Sequence, residues 1–187
     1  MGTKLNHANH QVDILALSRL KVLDEDSNPI LLSSFWKNNN VVLIFVRHFG
    51  CIACRAHIDQ VWKKREQFER AKTKIIFIGN GDPALIKSFK QDLNVDAPIF
   101  TDPTMEVFDA CGLKRSLLRL FSLSSGKRII GLSRQGYKQG ATFDSRTGTH
   151  AQMGGVVAFK VPGIVVYHFI ADHLGDFDDS EDWGGQS

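Results

Sequence analysis

Cysteine is scarce in this sequence, and its scarcity argues against one class of protein. There are three cysteines in 187 residues, an odd number and too few for the disulfide framework of a small secreted domain. The chain needs no such framework, because its length and its 43% hydrophobic content allow a sizeable core. We predict a single domain over residues 1–187, in a reducing compartment such as the cytoplasm.

Long apolar runs and a strong charge of either sign are also missing. No apolar run approaches the roughly 18 residues that a membrane-spanning helix needs, and the first ten residues lack the apolar core of a signal peptide. The net charge is only +3, which does not favour general nucleic-acid binding. The sequence therefore predicts a soluble cytoplasmic protein that binds neither membranes nor nucleic acids.

Two of the three cysteines lie where a buried strand turns into a helix. Val41–Val46 are consecutive apolar residues, typical of a strand buried on both faces, and Gly50 allows a sharp turn into Cys51-Ile52-Ala53-Cys54. Apolar residues then recur at helical spacing, at Ile58, Val61, Trp62 and Phe68. The amide groups and the dipole of that helix favour negative charge, so a cysteine at its start loses its proton more readily.

This spacing favours redox chemistry. Two thiols three residues apart at a helix start can form a disulfide, and the thiolate is the nucleophile in the exchange. We predict Cys51 and Cys54 as the catalytic pair of a thiol-disulfide oxidoreductase, with a Cys51–Cys54 disulfide and no bound cofactor. The alternative is an inert or metal-loaded binding module. A structural zinc site needs four ligands, however, and no second pair follows at the required spacing, so no metal is predicted.

Four basic residues flank the pair and are candidates for tuning its pKa or orienting substrate: Arg47, His48, Arg55 and His57. The two arginines either act on a thiolate or an anionic substrate, or form solvated ion pairs. His57 follows Cys54 on the same helix face and can stabilise its thiolate, although a solvated surface position is the simpler expectation. The third cysteine, Cys111, is expected to be a small buried residue rather than a resolving thiol.

Strands and helices alternate after the cysteine motif. Ile75–Ile78 and Ile99–Phe100 are apolar strands, each followed by a helical stripe, which indicates an α/β domain with helices on both faces of the sheet. Val156–Phe159 and Ile164–Phe169 flank a Val-Pro-Gly turn and predict a closing β-hairpin. The first ten residues are predicted to be a frayed terminus.

Region 113–153 interrupts this alternation and is interpreted as a basic insertion. It carries eight lysines and arginines against one acid, Asp144, which favours a solvated face or a match for the acidic tail 172–187 over a device that steers acidic substrates. Its one helical piece is predicted at Leu117–Leu123. Because the tail has little apolar stripe, we expect one sheet face to be covered by the insertion or by a partner subunit in a homodimer.

Four stretches together resemble a known family, the peroxiredoxin-like (AhpC/TSA-related) antioxidant proteins. They are LKVLDEDSNPILLSSF, FVRHFGCIACR, TDPTMEVFDACGLKR and MGGVVAFKVPGIVVYHF. The resemblance implies a thioredoxin-like fold with a peroxiredoxin-type N-terminal extension and a basic insertion before the closing hairpin. It also implies reduction of small peroxides, with lipid endoperoxides as alternative substrates. A protein-disulfide reductase without peroxidase activity is a further alternative in the same reaction class. The implied electron donor is a thiol of the thioredoxin, glutaredoxin or glutathione type.

The resemblance leaves the attacking cysteine open. In the thioredoxin pattern the first cysteine attacks, which is Cys51, whereas in the peroxiredoxin pattern Cys51 stands at a threonine position and Cys54 attacks. The peroxiredoxin proline and threonine are absent, and Met153-Gly154-Gly155 stands where that family has its peroxide-binding arginine. Glycine also replaces the cis-proline that faces the thioredoxin cysteines, which predicts an open disulfide face that admits a bulky substrate.

Overall fold

One eight-stranded mixed sheet organises the chain. The computed structural model describes residues 3–5, 12–113, 115, 123–140, 146, 148–149 and 151–171. The strands are β1 (Thr3–Leu5), β2 (Lys21–Leu23), β3 (Pro29–Leu31), β4 (Asn40–Phe45), β5 (Thr73–Gly79), β6 (Ile99–Thr101), β7 (Gly155–Lys160) and β8 (Ile164–Ile170). The helices are α1 (Ile14–Leu17), α2 (Ile52–Lys63), α3 (Arg65–Arg70), α4 (Leu85–Leu93), α5 (Glu106–Ala110) and α6 (Leu123–Arg134). None of these helices is long and apolar enough to cross a membrane.

The predicted apolar strand lies at the centre of this sheet. The strand order is β1-β8-β7-β4-β5-β6-β2-β3, with β4 parallel to β5 and antiparallel to β7. Alternate side chains of β4 enter two separate cores, with Val42 and Ile44 on the face covered by α2 and α4, and Leu43 on the face covered by α1 and α5. The α/β class with helices on both faces is therefore confirmed.

The predicted frayed terminus is wrong at Thr3–Leu5, which form β1. This strand pairs antiparallel with the end of β8, from Thr3 opposite Ile170 to Leu5 opposite His168. The outer edge of β8 presents unpaired backbone N–H and C=O groups, and an added strand satisfies them. Thr3–Leu5 is too short to show an alternating hydrophobic pattern, so the sequence does not predict this pairing.

The basic insertion contains a helix, α6, most of which lies beyond the predicted piece. The expected piece, Leu117–Leu123, overlaps α6 only at Leu123, and residues 116–122 lie outside the described ranges, as does the acidic tail 172–187. Glycines and serines within α6 lower its intrinsic helix propensity and hide its periodicity, so tertiary contacts must support it. Those contacts are with α2, and Leu132 joins the α2-side core. The insertion therefore covers α2, while a homodimer stays a prediction.

Gly154 allows the chain entering β7 to pass close to the end of β4. A Cβ at this position would lie 2.6 Å from the Phe45 carbonyl oxygen. We expect Gly154→Ala to lower the free energy of unfolding by about 1–3 kcal/mol, because backbone must move to relieve the contact. Gly131→Ala is the matched control, since its Cβ would meet nothing within 4 Å, and it should stabilise α6 by about 0.5–1 kcal/mol. Urea unfolding of both variants measures the difference, and equal stabilities would contradict the close approach.

Candidate active site

The two cysteines of the motif lie at the start of α2, beyond the end of β4. Cys51 is the N-cap residue with extended backbone, and Cys54 lies one turn into the helix. Both thiols are free in this structure, and the residues are only 4% and 1% exposed. The predicted open disulfide face is therefore wrong. A segment of the basic insertion, described below, covers the turn that holds Cys51.

The surroundings lower the pKa of one thiol and raise the pKa of the other. A hydrogen bond from the Cys54 thiol, helped by the Arg47 guanidinium and by two backbone amides, lowers the pKa of Cys51 to about 6 despite burial. The same hydrogen bond holds the Cys54 proton, and together with burial it raises the pKa of Cys54 well above its usual value. At neutral pH this arrangement favours a Cys51 thiolate beside a protonated Cys54.

Arg47 reaches the Cys51 sulfur from the end of β4. Its Nε donates a hydrogen bond to the Gln152 carbonyl at 2.9 Å, and its Nη1 lies 3.7 Å from the Cys51 Sγ. Its backbone N–H also points at the Cys54 Sγ, at 3.3 Å. Because β4 and β7 are paired antiparallel, the segment just after β4, which contains Arg47, lies beside the segment just before β7, which contains Gln152, and the Gln152 carbonyl holds the guanidinium in place. Arg47 is buried, so solvent screens its charge little.

Arg55 is turned towards α4. Its guanidinium pairs with Asp92 at 2.8 Å and lies 5.2 Å from the centre of the Phe89 ring. Of the two expectations for this residue, the structure therefore shows the ion pair. The two arginines that flank the motif thus have different surroundings: Arg47 lies beside the Cys51 sulfur, and Arg55 lies beside α4.

Both histidines are buried, His48 at 2% and His57 at 4% exposure. The expected solvated position of His57 is wrong, because every residue of α2 from Ile52 to Ile58 is buried. Cys111 lies fully buried in the core on the other face of the sheet, where burial raises the pKa of its thiol. Among the described residues, no group of three or more His, Cys, Asp or Glu could hold a metal ion.

Sequence reasoning missed the segment that covers Cys51, Gly136–Gly140, which we call the strap. The Gln139 Nε2 donates to the Gly50 carbonyl at 2.5 Å, and its Oε1 accepts from the Ile52 N–H at 3.1 Å. The Gly140 N–H donates to the same Gly50 carbonyl at 3.0 Å. The glycines that bound the strap mark a turn in the sequence. Nothing local, however, indicates which distant residues the turn contacts.

Comparisons with known proteins agree with this fold. The AhpC/TSA antioxidant enzyme family model matches residues 60–173, a range that begins after Cys54. Prostamide/prostaglandin F synthase of Xenopus tropicalis is 27% identical over 169 residues, which cover 89% of this chain and 83% of that protein. Thioredoxin-like protein AAED1, chloroplastic, of Arabidopsis thaliana is 26% identical over 66% of this chain, which spans 50% of that protein. The crystal structure of reduced Prx3 with hydrogen peroxide from Vibrio vulnificus matches with a TM-score of 0.65 and 13% identity, over 94% of this chain and 95% of that one.

Proposed function

We propose that this chain, which belongs to the AhpC/TSA antioxidant enzyme family, reduces small peroxides with Cys51 as the attacking cysteine. Membership makes it a peroxiredoxin- and thioredoxin-like oxidoreductase. The observation that carries the finer proposal is the pair of contacts on the Cys51 sulfur, from the Arg47 guanidinium and the Cys54 thiol. They supply a thiolate at neutral pH, which is the form that attacks an oxygen of a peroxide.

The reaction uses both cysteines and transfers two electrons. The Cys51 thiolate attacks one peroxide oxygen, the O–O bond breaks, and the leaving alkoxide or hydroxide takes a proton, which leaves a sulfenic acid on Cys51. The Cys54 thiol then attacks that sulfur, water leaves, and the Cys51–Cys54 disulfide forms. Arg47 supports the first step, because its N–H groups stabilise the thiolate and the negative charge that develops on the leaving oxygen.

An external thiol completes the cycle by reducing the disulfide. We propose a donor of the thioredoxin, glutaredoxin or glutathione type, in a cytoplasmic setting. One molecule of protein dithiol, or two of a monothiol, supplies the two electrons and is itself oxidised to a disulfide. No bound cofactor enters this cycle.

Reduction of a lipid endoperoxide is the second candidate. It is favoured by the similarity to prostamide/prostaglandin F synthase, which extends over most of both chains. The bond broken is again O–O. The Cys51 thiolate would attack one oxygen, and the other would leave as a lipid alkoxide and take a proton. Attack of the Cys54 thiol on the Cys51 sulfur would then release the first oxygen as a second lipid hydroxyl and close the disulfide. Parallel kinetics with hydrogen peroxide and with an endoperoxide would rank the two substrates.

Intact-mass spectrometry after one equivalent of hydrogen peroxide tests the proposal. We expect the reduced wild-type protein to lose two hydrogens, Cys54→Ser to gain one oxygen on Cys51, and Cys51→Ser to stay unchanged. An oxygen gained only by Cys51→Ser would make Cys54 the attacking residue. If peroxide changes nothing but a peptide disulfide oxidises the wild type, the protein is a protein-disulfide reductase. If neither oxidant acts, the inert or metal-loaded binding module replaces the proposal.

A further inference from the structure

The backbone groups on either side of Cys51 are arranged to pair with an extended chain. Cys51 has extended backbone, with φ −77° and ψ 120°. The carbonyl of Gly50 before it and the N–H of Ile52 after it both bond to one amide group, that of Gln139. In parallel pairing of strands, one residue of the neighbouring chain uses its N–H and C=O to contact these same two groups. The Gln139 side chain therefore occupies the place of a peptide residue opposite Cys51.

Gln139 is suited to be displaced from that place. The residue is exposed, whereas the Cys51 that it helps to cover is 4% exposed. The rest of the strap is held independently, because the Tyr137 hydroxyl donates to Asp59 at 2.5 Å and the Gly140 N–H donates to Gly50 at 3.0 Å. Moving the Gln139 side chain therefore frees the Ile52 N–H and one of the two acceptor positions of the Gly50 carbonyl, while the Gly140 N–H keeps the other and the strap stays attached.

We propose that the Gly50 carbonyl and the Ile52 N–H form a binding site for an extended, thiol-bearing segment of a partner protein, and that Gln139 fills this site when no partner is bound. A cleft of about 520 Å³ continues from the strap and is lined in part by Asp59, Asp92 and Lys138. It offers charged surfaces of both signs to the side chains of such a segment. Backbone pairing supplies affinity, and neighbouring pockets supply specificity, in this mode of recognition.

The partner step rests on the proposed function, because it acts on the Cys51–Cys54 disulfide. A partner thiolate attacks the Cys51 sulfur, the bond to Cys54 breaks, and the Cys54 thiolate takes a proton. The second partner thiol then attacks the mixed disulfide and releases the Cys51 thiolate. The partner leaves as a disulfide, having lost two electrons and two protons. Pairing at Gly50 and Ile52 would place the partner cysteine opposite Cys51 for the first attack.

Binding of an unreactive peptide to the reduced protein tests the site without relying on its chemistry. The probe is the capped pentapeptide Val-Thr-Ser-Thr-Val, followed by nitrogen-15 NMR of the protein. We expect saturable shifts at the Ile52 amide and the Gln139 side-chain amide. Gln139→Ala should bind about tenfold tighter, because the peptide no longer competes with the hydrogen bonds of Gln139. Gln135→Ala is the matched control and should bind like the wild type, because Gln135 is exposed and its backbone N–H bonds to the end of α6.

A peptide N-methylated at serine separates backbone pairing from general adhesion. It lacks the N–H that would donate to Gly50, so we expect no gain in affinity for it in Gln139→Ala. Gln139→Leu is the second variant, since leucine keeps about the same side-chain size but has no group that can bond to the Gly50 carbonyl or the Ile52 N–H. Equal binding of both peptides, or unchanged affinity in both Gln139 variants, would overturn the inference. Failure of peroxide reduction would show in the mass experiment instead.

Discussion

Replacing Cys54 by alanine is expected to raise the pKa of Cys51 above its value of about 6, towards the ordinary value for cysteine. The reason is that the Cys54 thiol makes the largest contribution to the low pKa, through its hydrogen bond to the Cys51 sulfur. Arg47 and the amides at the start of α2 remain in the variant, so the pKa should stay below that of a free thiol. Thiolate absorbance at 240 nm, followed against pH, measures the change.

Cys54→Ser is the matched control, because a hydroxyl can donate the same kind of hydrogen bond to the thiolate. We expect it to keep the pKa of Cys51 near the wild-type value of about 6. In the wild type and in Cys54→Ser, the rate of alkylation by iodoacetamide should be constant above about pH 7. It should fall as the pH drops through the pKa of Cys51, because only the thiolate reacts. In Cys54→Ala the fall should begin at higher pH. Equal profiles for the two variants would assign the low pKa to Arg47 and the backbone alone.

The sequence was most informative where the signal is local. Six apolar residues in Val41–Val46 can be covered on both sides only in the middle of a sheet, and β4 lies there. The glycine after that strand and the helical spacing after Cys54 place both thiols at the start of α2, where the structure has them. These features depend on neighbours in the chain, so one sequence was enough to predict them.

The sequence was least informative where the structure depends on distant contacts. His57 lies in a stretch of α2 that is buried on every side, and α6, which packs on α2, comes from the region interpreted as a solvated insertion. The Gln139 amide donates to the Gly50 carbonyl and accepts from the Ile52 N–H, and these hydrogen bonds connect residues almost ninety positions apart. Neither spacing nor hydropathy encodes such a contact, since an exposed glutamine in a glycine-bounded turn is compatible with many surroundings.

The flanking arginines show the same limit within a single motif. Arg47 and Arg55 lie on opposite sides of the cysteines in the sequence, and by charge alone either of them could stabilise a thiolate. Arg47 belongs to the segment that leaves β4 next to the start of β7, so the sheet directs it towards Gln152 and Cys51. Arg55 lies within α2, and the face of α2 that it occupies is beside α4, where Asp92 accepts its hydrogen bond. The position of neighbouring elements, rather than distance along the chain, separates their roles.

This difference leads to the second large expected effect, a loss of about a hundredfold in the rate constant for hydrogen peroxide in Arg47→Met. The variant removes the positive charge beside the Cys51 sulfur and the N–H groups that can contact a leaving oxygen. Arg55→Met is the matched control. Its carboxylate partner, Asp92, is 59% exposed, so losing that ion pair should cost less than about 1 kcal/mol of stability. We expect its peroxide rate constant to stay within about threefold of the wild type, because the Arg55 guanidinium contacts Asp92 and Phe89. A threefold change in rate corresponds to less than about 1 kcal/mol in the activation barrier.

Repeating the peroxide and iodoacetamide rates at pH 9 separates the two actions of Arg47. If the guanidinium only lowers the pKa of Cys51, both rates of Arg47→Met should recover at pH 9, because the thiol is then ionised without help. If it also stabilises the leaving oxygen, alkylation should recover while peroxide reduction stays slow, and this is the result we expect. Full recovery of both rates would limit Arg47 to forming the thiolate. Equal slowing in Arg47→Met and Arg55→Met, with lower unfolding midpoints in both, would instead trace the loss to the packing around α2 and remove Arg47 from the mechanism.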